Sequence, residues 1–348
     1  MNKVNHKMIQ LARESRGYTQ TELAELTDIP QSNLSRIERD ALNVSPENLK
    51  KLCATLSYPE EFFFQQITLA TTDTHYRKAI VIEQKTKLKA EALMNIYKAN
   101  IEEMLKSLEL STHNIPVLKE ETDSPEKVAQ FLRSYWKIPK GAVQNLAQVI
   151  EDNGIIIIQL DFDTDKIDGR TIVTDTGHPI IFINKNASGD RQRLTLAHEL
   201  GHVILHMNSI PSFSRDEEGD AFGFGIEFLM PLSECKYDLE GRLTIEKLAD
   251  LKRIWKISMQ SIVFRAQKQS LITYNSARYL WSQFASRGWR KVEPIEVPKE
   301  EATLLNRMAN LFITDLEYSK KELAGIFRLN VDEMEERFFT KSKRLKVA

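Results

Sequence analysis

The stretch RLTLAHELGHVILHM, residues 193–207, constrains the fold of this 348-residue chain more than any other. Apolar residues on both sides of a polar stripe predict a helix that is buried except along that stripe. His198 and His202 lie four residues apart, so their side chains share one helix face, one turn apart. Two imidazoles in this arrangement can bind one metal ion, and Glu199 lies about 100° round the helix beside it. This HExxH pattern is typical of zinc hydrolases, in which the glutamate is the general base.

Two histidines leave a catalytic zinc ion one protein ligand short. His206 lies one turn further along, with its α-carbon about 12 Å from that of His198, so we interpret it as structural. Gly201 costs about 1 kcal/mol in a helix interior, which indicates that another segment passes close to the site. We therefore expect the third ligand to be a carboxylate on a following helix.

The composition excludes several classes of protein. With 42% hydrophobic residues, 28% charged residues and a net charge of −1, the chain does not coat nucleic acid or membranes by charge alone. Cys53 and Cys235 form no CxxC pair, which argues against a disulfide framework or a cysteine-bound zinc. The first twenty residues lack a signal-peptide pattern, and the most apolar run, residues 154–160, is too short to span a bilayer. We expect a cytoplasmic protein of two or three domains with no membrane partner.

Residues 18–40, YTQTELAELTDIPQSNLSRIERD, predict two short helices joined by a tight turn at residues 28–30. Thr19 is the expected N-cap of the first helix. The residues expected to face inward are Leu23, Ala24, Leu26, Leu34 and Ile37. The pair is a helix-turn-helix candidate within a helical bundle at residues 1–66.

This segment resembles the lambda-repressor-like, or XRE, class of helix-turn-helix domains, whose pattern is TQ-x-x-LA followed by S-x-x-S-x-I-E. The resemblance implies that the second helix enters the major groove of DNA. The implied base or phosphate contacts are Gln31, Ser32, Asn33 and Arg36, with Gln20 as a backbone contact. Residues 1–65 carry eight Lys and Arg against nine Asp and Glu, so the domain should bind DNA weakly unless it dimerises. A bundle that only packs against a partner protein is the alternative.

Residues 67–110 predict a polar connector and a helix, whose apolar stripe is Leu88, Leu93, Ile96, Ile101 and Leu105. Core packing is the favoured interpretation of this stripe, and a homodimerisation helix is the alternative. A helix pair, three β-type runs and the HExxH helix then predict an α+β middle third. We expect the run HPIIFIN, residues 178–184, to lie at the edge of the cleft and to accept an extended peptide. Residues 293–301 are expected to be a linker before a C-terminal helical pair capped by Ser319.

Residues 124–290 closely resemble the ImmA/IrrE family of metallopeptidases. The matching strings are SGDRQRLTLAHELGHVILH, EEGDAFGFGIEFLMP, IDGRTIVTD, LADLKRIWKISMQSIVFRA and SRGWRKVEP. The resemblance implies a mainly α fold with a small β-sheet (α+β), in which an N-terminal helix-turn-helix bundle joins a zincin-like domain. It also implies one Zn²⁺ per chain, bound by His198, His202 and Glu218. The expected domains are residues 1–66, the connector 67–110, the peptidase 111–290 and a helical extension 291–348.

The chain departs from the family pattern around the third ligand. Asp220 replaces a glutamate, and Phe222 stands where Asn or Asp is usual. Phe222 cannot hydrogen-bond to a ligand histidine, so a lower metal affinity is expected. Asp220 and Glu217 are alternative third ligands, and Gly223 and Gly225 are expected to loosen the helix. Further candidate donors to an oxyanion are Tyr237, Arg265 and Tyr274.

These features predict a DNA-associated regulator with a zinc-dependent endopeptidase domain that cleaves a transcriptional repressor or similar regulator, in a stress or mobile-element response. One alternative is an XRE-family transcription regulator whose peptidase-like domain senses a metal or ligand without significant proteolysis. A second is an antitoxin-like, partner-binding protein. Glu199 favours the enzyme, because a pure sensor has no use for a general base at that position.

Overall fold

A computed structural model describes residues 3–70, 82–108, 114–118, 124–207 and 216–339. The helices before the sheet are α1 His6–Ser15, α2 Gln20–Thr27, α3 Gln31–Glu38, α4 Pro46–Leu56, α5 Gln84–Leu105, α6 Pro125–Tyr135 and α7 Leu146–Asp152. The strands are β1 Ile156–Leu160, β2 Gly169–Val173 and β3 Pro179–Asn184. The helices after the sheet are α8 Gly189–His202, α9 Glu217–Leu229, α10 Leu232–Leu239, α11 Ile245–Trp255, α12 Met259–Lys268, α13 Tyr274–Ser286, α14 Leu304–Thr314, α15 Lys320–Phe327 and α16 Val331–Phe338. This architecture confirms the predicted fold class, a helical N-terminal bundle followed by an α+β domain.

Short polar signals set the boundaries of the N-terminal helices. Thr19 caps α2 in a reciprocal capping box with Glu22, as predicted for the N-cap, and Asp28 ends the helix in the left-handed conformation. Leu34 and Ile37 of α3 are buried, as expected. The expectation that Leu26 faces inward is wrong: it is 55% exposed, because the buried face of α2 is formed by Leu23 and Thr27, and Leu26 lies to one side of that face.

The three strands form one sheet in the order β1-β3-β2, with β1 and β3 parallel and β2 antiparallel to β3. The expectation that residues 178–184 lie at an edge is wrong, since β3 is the central strand. All six residues of β3 are buried, as expected of a strand that is covered on both faces. Within the described ranges, β2 pairs with β3 alone, so β2 provides an edge of the sheet.

The sheet separates two hydrophobic cores. Ile156, Ile158 and Phe182 face a core formed with the N-terminal bundle, α5 and α14–α16. Ile157 and Ile181 face a second core, formed with α6–α13. Alternate residues of the same strands therefore belong to different cores, and the sheet is the layer that both cores share.

Helix α5 is packed inside the protein along most of its length. Its buried residues include Met94, Ile96 and Ile101, together with the polar Asn95 and Lys98. The ammonium group of Lys98 lies 2.6 Å from Asp175, in the turn after β2, and 3.0 Å from the carbonyl of Thr68. Of the predicted apolar stripe, Ile96 and Ile101 are buried in the core, and Leu93 and Leu105 are partly buried against it. Core packing thus accounts for most of the stripe, and a homodimerisation role for this helix stays a prediction.

The C-terminal helices belong to the same core as the N-terminal bundle. The carboxylate of Glu333 in α16 accepts hydrogen bonds of 2.8 and 2.9 Å from Arg16 of α1, and Ser319 caps α15 as predicted. Residues 292–303, which include the predicted linker, form neither helix nor strand but are held in place. Glu300 contacts the buried Arg193 of α8 and accepts a 2.8 Å hydrogen bond from the backbone N–H of Ala147.

Each helix in the described ranges is too short or too polar to cross a lipid bilayer.

Candidate metal centre and DNA-binding face

The HExxH helix, α8, crosses α9 at very short range. A β-carbon at Gly201 would lie 3.0 Å from the α-carbon of Ala221, and one at Gly225 would lie 3.0 Å from the backbone nitrogen of His198. The segment that Gly201 was expected to admit is therefore α9. Helix α9 is continuous through Gly223 and Gly225, and Gly225 permits the close approach to α8.

This crossing brings three potential ligands together. The Nε2 atoms of His198 and His202 are 3.1 Å apart, and each lies 3.5 Å from a carboxylate oxygen of Glu218. Two ligand atoms about 2.0–2.1 Å from one tetrahedral zinc ion are roughly 3.3 Å apart, so these spacings fit such an ion. The donor set of two imidazoles and one carboxylate also matches catalytic zinc sites, which leave a fourth position open.

Among the described residues, Glu218 is the carboxylate that joins the histidines in this group. Asp220 and Glu217, the alternative third ligands, are not part of it. Hydrogen bonds from His198 and His202 hold the pKa of Glu218 well below its usual range. His206 lies outside the group, within 3.3 Å of the carbonyl of Glu217, and burial lowers its pKa.

Glu199 is 7% exposed and points to the sheet side of α8. Its Oε2 atom accepts a 2.8 Å hydrogen bond from the hydroxyl of Thr171 in β2. Gly169, two residues earlier in the strand, makes room for this contact: a β-carbon there would lie 3.2 Å from Cγ of Glu199 and 2.5 Å from Cγ2 of Thr195. Sequence reasoning missed Thr171. The available signal was the string IDGRTIVTD, which contains Thr171 and carries part of the family resemblance.

The candidate oxyanion donors lie in different surroundings. Arg265 is buried and forms an ion pair with Glu227, which also accepts hydrogen bonds from Gln130 and the backbone of Leu232. This pairing gives Arg265 a structural role, linking α12 to α9. Tyr237 and Tyr274 are largely exposed on the surface.

Two of the predicted DNA-binding residues, Gln20 and Gln31, belong to a chain of side-chain hydrogen bonds. Gln31 donates to Gln20 over 2.9 Å, and Gln20 donates to Glu38 over 2.7 Å. Glu38 is buried and also accepts hydrogen bonds from Arg13 of α1. These contacts orient the amide of Gln31 at the start of α3. Sequence reasoning missed the Arg13–Glu38 pair that anchors them.

The remaining predicted residues lie along α3. Ser32 and Arg36 are exposed, and Asn33 is partly buried. Arg36 lies four residues after Ser32, so the two share one face of the helix. The geometry thus places four of the five predicted residues on one short helix, with the fifth, Gln20, bonded to its first residue.

Comparison with known families finds a match for the helix-turn-helix segment and a match for the segment that contains the metal centre. Residues 9–63 match a family model described as Helix-turn-helix, and residues 150–267 match one described as IrrE N-terminal-like domain. A comparison with curated proteins found no match. The two domain matches confirm the resemblance to ImmA/IrrE proteins that carry an N-terminal XRE domain. They support a DNA-binding regulator with a metallopeptidase-like domain. The second match, residues 150–267, contains β1–β3, α8 and α9.

The close crossing of α8 and α9 predicts a specific intolerance of side chains at Gly201. A Gly201→Val variant should lose about 1–3 kcal/mol of unfolding free energy, because its side chain meets the backbone of Ala221. Gly325→Val in α15 is the matched control, since a β-carbon there meets nothing within 4 Å, and it should stay within about 0.5 kcal/mol. Urea unfolding followed by circular dichroism measures both. Equal stability of the two variants would contradict the crossing.

Proposed function

We propose that this chain is a DNA-binding regulator whose metallopeptidase-like domain is a zinc-dependent endopeptidase that cleaves a transcriptional repressor or similar regulator. The observation that carries the proposal is the pairing of a ligand group with an oriented base. His198, His202 and Glu218 present their ligand atoms to one point, and Glu199 is held beside them by Thr171. A site that only sensed a metal would need the three ligands but not Glu199, a carboxylate that is held by a hydrogen bond and is not one of the ligands.

When bound, zinc supplies a Lewis acid that lowers the pKa of a water ligand to about 7 and polarises a peptide carbonyl. The chain's own residues supply the proton transfers. Thr171 occupies Oε2 of Glu199, which leaves Oε1 to accept a proton from the attacking water. Glu199 then delivers that proton to the amine that leaves when the peptide bond breaks.

The edge strand β2 offers a place for the substrate backbone. Thr171 hydrogen-bonds to Glu199, and β2 pairs with β3 on one side alone within the described ranges. An extended peptide that adds to this edge would lie along the strand that positions the base. We propose β2, rather than β3, as the strand that aligns the substrate.

The N-terminal domain supplies the proposed localisation on DNA. We propose that Gln31, Ser32, Asn33 and Arg36 contact bases or phosphates in the major groove, with Gln20 as a backbone contact. The near-neutral charge of residues 1–65 gives little non-specific affinity, so we propose that a homodimer is the DNA-binding form. DNA binding would then bring the peptidase to repressors located on the same operator.

Removing the base should separate the enzyme from a metal sensor. A Glu199→Gln variant should retain zinc, because none of the three ligands changes, but should lose cleavage. The test compares the newly formed protein N-termini in cells that carry either form, under DNA-damage and metal stress. A repressor-derived N-terminus is expected only with the wild type. Identical N-termini in the two strains, with equal zinc content, would favour the sensor.

The contact of Thr171 with Glu199 predicts a graded effect on the same reaction. Thr171→Val removes the hydroxyl but keeps the shape, and it should slow cleavage by about 10- to 100-fold without loss of zinc. Thr171→Ser retains a donor and should restore most of the rate. Turnover of the repressor identified by the N-terminal comparison measures both variants. A serine variant as slow as the valine variant would argue against positioning by the hydroxyl.

The DNA-binding face predicts two different losses of affinity. Gln31→Ala should cost about 1–3 kcal/mol and relax the preferred sequence, while Arg36→Ala should weaken binding and reduce its salt dependence. Arg253→Ala, which removes the same charge from an exposed position on α11, is the control and should have no effect. Titrations at several salt concentrations, on a duplex selected from random DNA, measure all three. Unchanged binding in both α3 variants would exclude this face.

A further inference from the structure

The ring of His198 has one nitrogen without a hydrogen-bond partner. Its Nδ1 atom is buried, and among the described residues no group donates to it or accepts from it. Histidines that bind metals almost always donate a hydrogen bond from their second ring nitrogen, which fixes the tautomer and the ring orientation. His198 therefore has the position of a metal ligand, but among the described residues it lacks the hydrogen bond that the second ring nitrogen of such a ligand normally makes.

Phe222 shares the face of α9 that contacts His198. Glu218, Phe222 and Gly225 lie at intervals of four and three residues, so they share one face of α9. The first of them contacts Nε2 of His198, and the last packs against its backbone nitrogen. By this spacing, Phe222 lies between the two residues of α9 that contact His198. Its ring packs edge-to-face on Phe264, with 5.3 Å between centroids, and it offers no hydrogen-bond acceptor.

Without an acceptor for Nδ1, the tautomer of His198 that binds a metal is not stabilised in the metal-free protein. The two Nε2 atoms are 3.1 Å apart, within hydrogen-bond distance of each other. Metal binding requires both Nε2 lone pairs, so the proton of His198 must sit on Nδ1. An Asn or Asp at position 222 would stabilise that tautomer, whereas Phe222 leaves the Nδ1–H buried and unbonded, which is unfavourable.

We propose that Phe222 makes the group of His198, His202 and Glu218 a low-affinity, exchangeable zinc site, so that its occupancy follows the supply of the metal. The proposal rests on the metal site described under Proposed function but not on peptide cleavage. Outer partners of metal ligands typically change affinity by 10- to 100-fold. The chain would then fill and empty its site over a range of zinc concentrations in which a fully supported site stays loaded.

Zinc affinity of the full chain tests this directly. Wild type, Phe222→Asn, Phe222→Asp and the apolar control Phe222→Leu compete with a chromophoric chelator for zinc, and thermal melting confirms that each is folded. The Asn or Asp variant should bind about 10- to 100-fold more tightly than wild type, and the Leu variant should not differ from it. Folded Asn and Asp variants that bind no tighter than wild type would overturn the proposal. If no variant binds zinc, the metal site itself fails, and the role of Phe222 fails with it.

A second measurement reports the tautomer of His198 and does not depend on a change in zinc affinity. In the metal-free wild type, ¹⁵N-labelled histidine should show His198 as a mixture of tautomers, because nothing fixes its Nδ1 proton. The Phe222→Asn variant should show the Nδ1–H form alone. A wild type already fixed in the Nδ1–H form would overturn the proposal even if the substitutions perturbed folding.

Discussion

The close approach of α8 and α9 is the contact on which the site depends. Gly201 and Gly225 let the two backbones meet beside the histidine pair, at Gly201 and at Ala197–His198, and this fixes how far Glu218 stands from the imidazoles. A larger side chain at the crossing would push the neighbouring backbone away by a few tenths of an ångström or more, which is the scale of the distance error that a metal site tolerates. The two glycines reduce the intrinsic stability of their helices, but they allow three ligands from two helices to converge.

The sheet ties this site to the rest of the protein. In β2, Thr171 faces Glu199, while the next residue, Ile172, packs into the core shared with the N-terminal bundle. The turn after the same strand is held by Lys98 of α5, and α5 packs against α1. A single short strand therefore contacts both Glu199, the proposed general base, and the core beneath the helices that are proposed to bind DNA. We infer that the two halves of the chain are built as one unit.

The sequence predicted the parts of this structure that depend on local periodicity. The histidine pair, Glu218 and the cap at Thr19 follow from residue spacing, capping chemistry and family resemblance. Features set by contacts between distant segments were missed or wrong. The central position of β3 depends on strand order, and the role of Gly225 depends on which helix passes it, neither of which periodicity encodes. The burial of Arg193 against Glu300 likewise joins residues more than a hundred positions apart.

Glu199 and His198 differ in their hydrogen bonding: Glu199 accepts a hydrogen bond from Thr171, whereas Nδ1 of His198 has no partner among the described residues. This difference bears on how such a protein would be controlled. The base is oriented by Thr171 whether or not a metal is bound, because that hydrogen bond involves no ligand atom. Nδ1 of His198, a proposed ligand, has no hydrogen-bond partner among the described residues, so none of them fixes the tautomer of its ring. Because the two side chains point to different sides of α8, the orientation of the base and the affinity for zinc can change independently. Under the proposed function, occupancy of the metal site is then the variable quantity, and the proposed cleavage can be controlled through it without rearranging the fold.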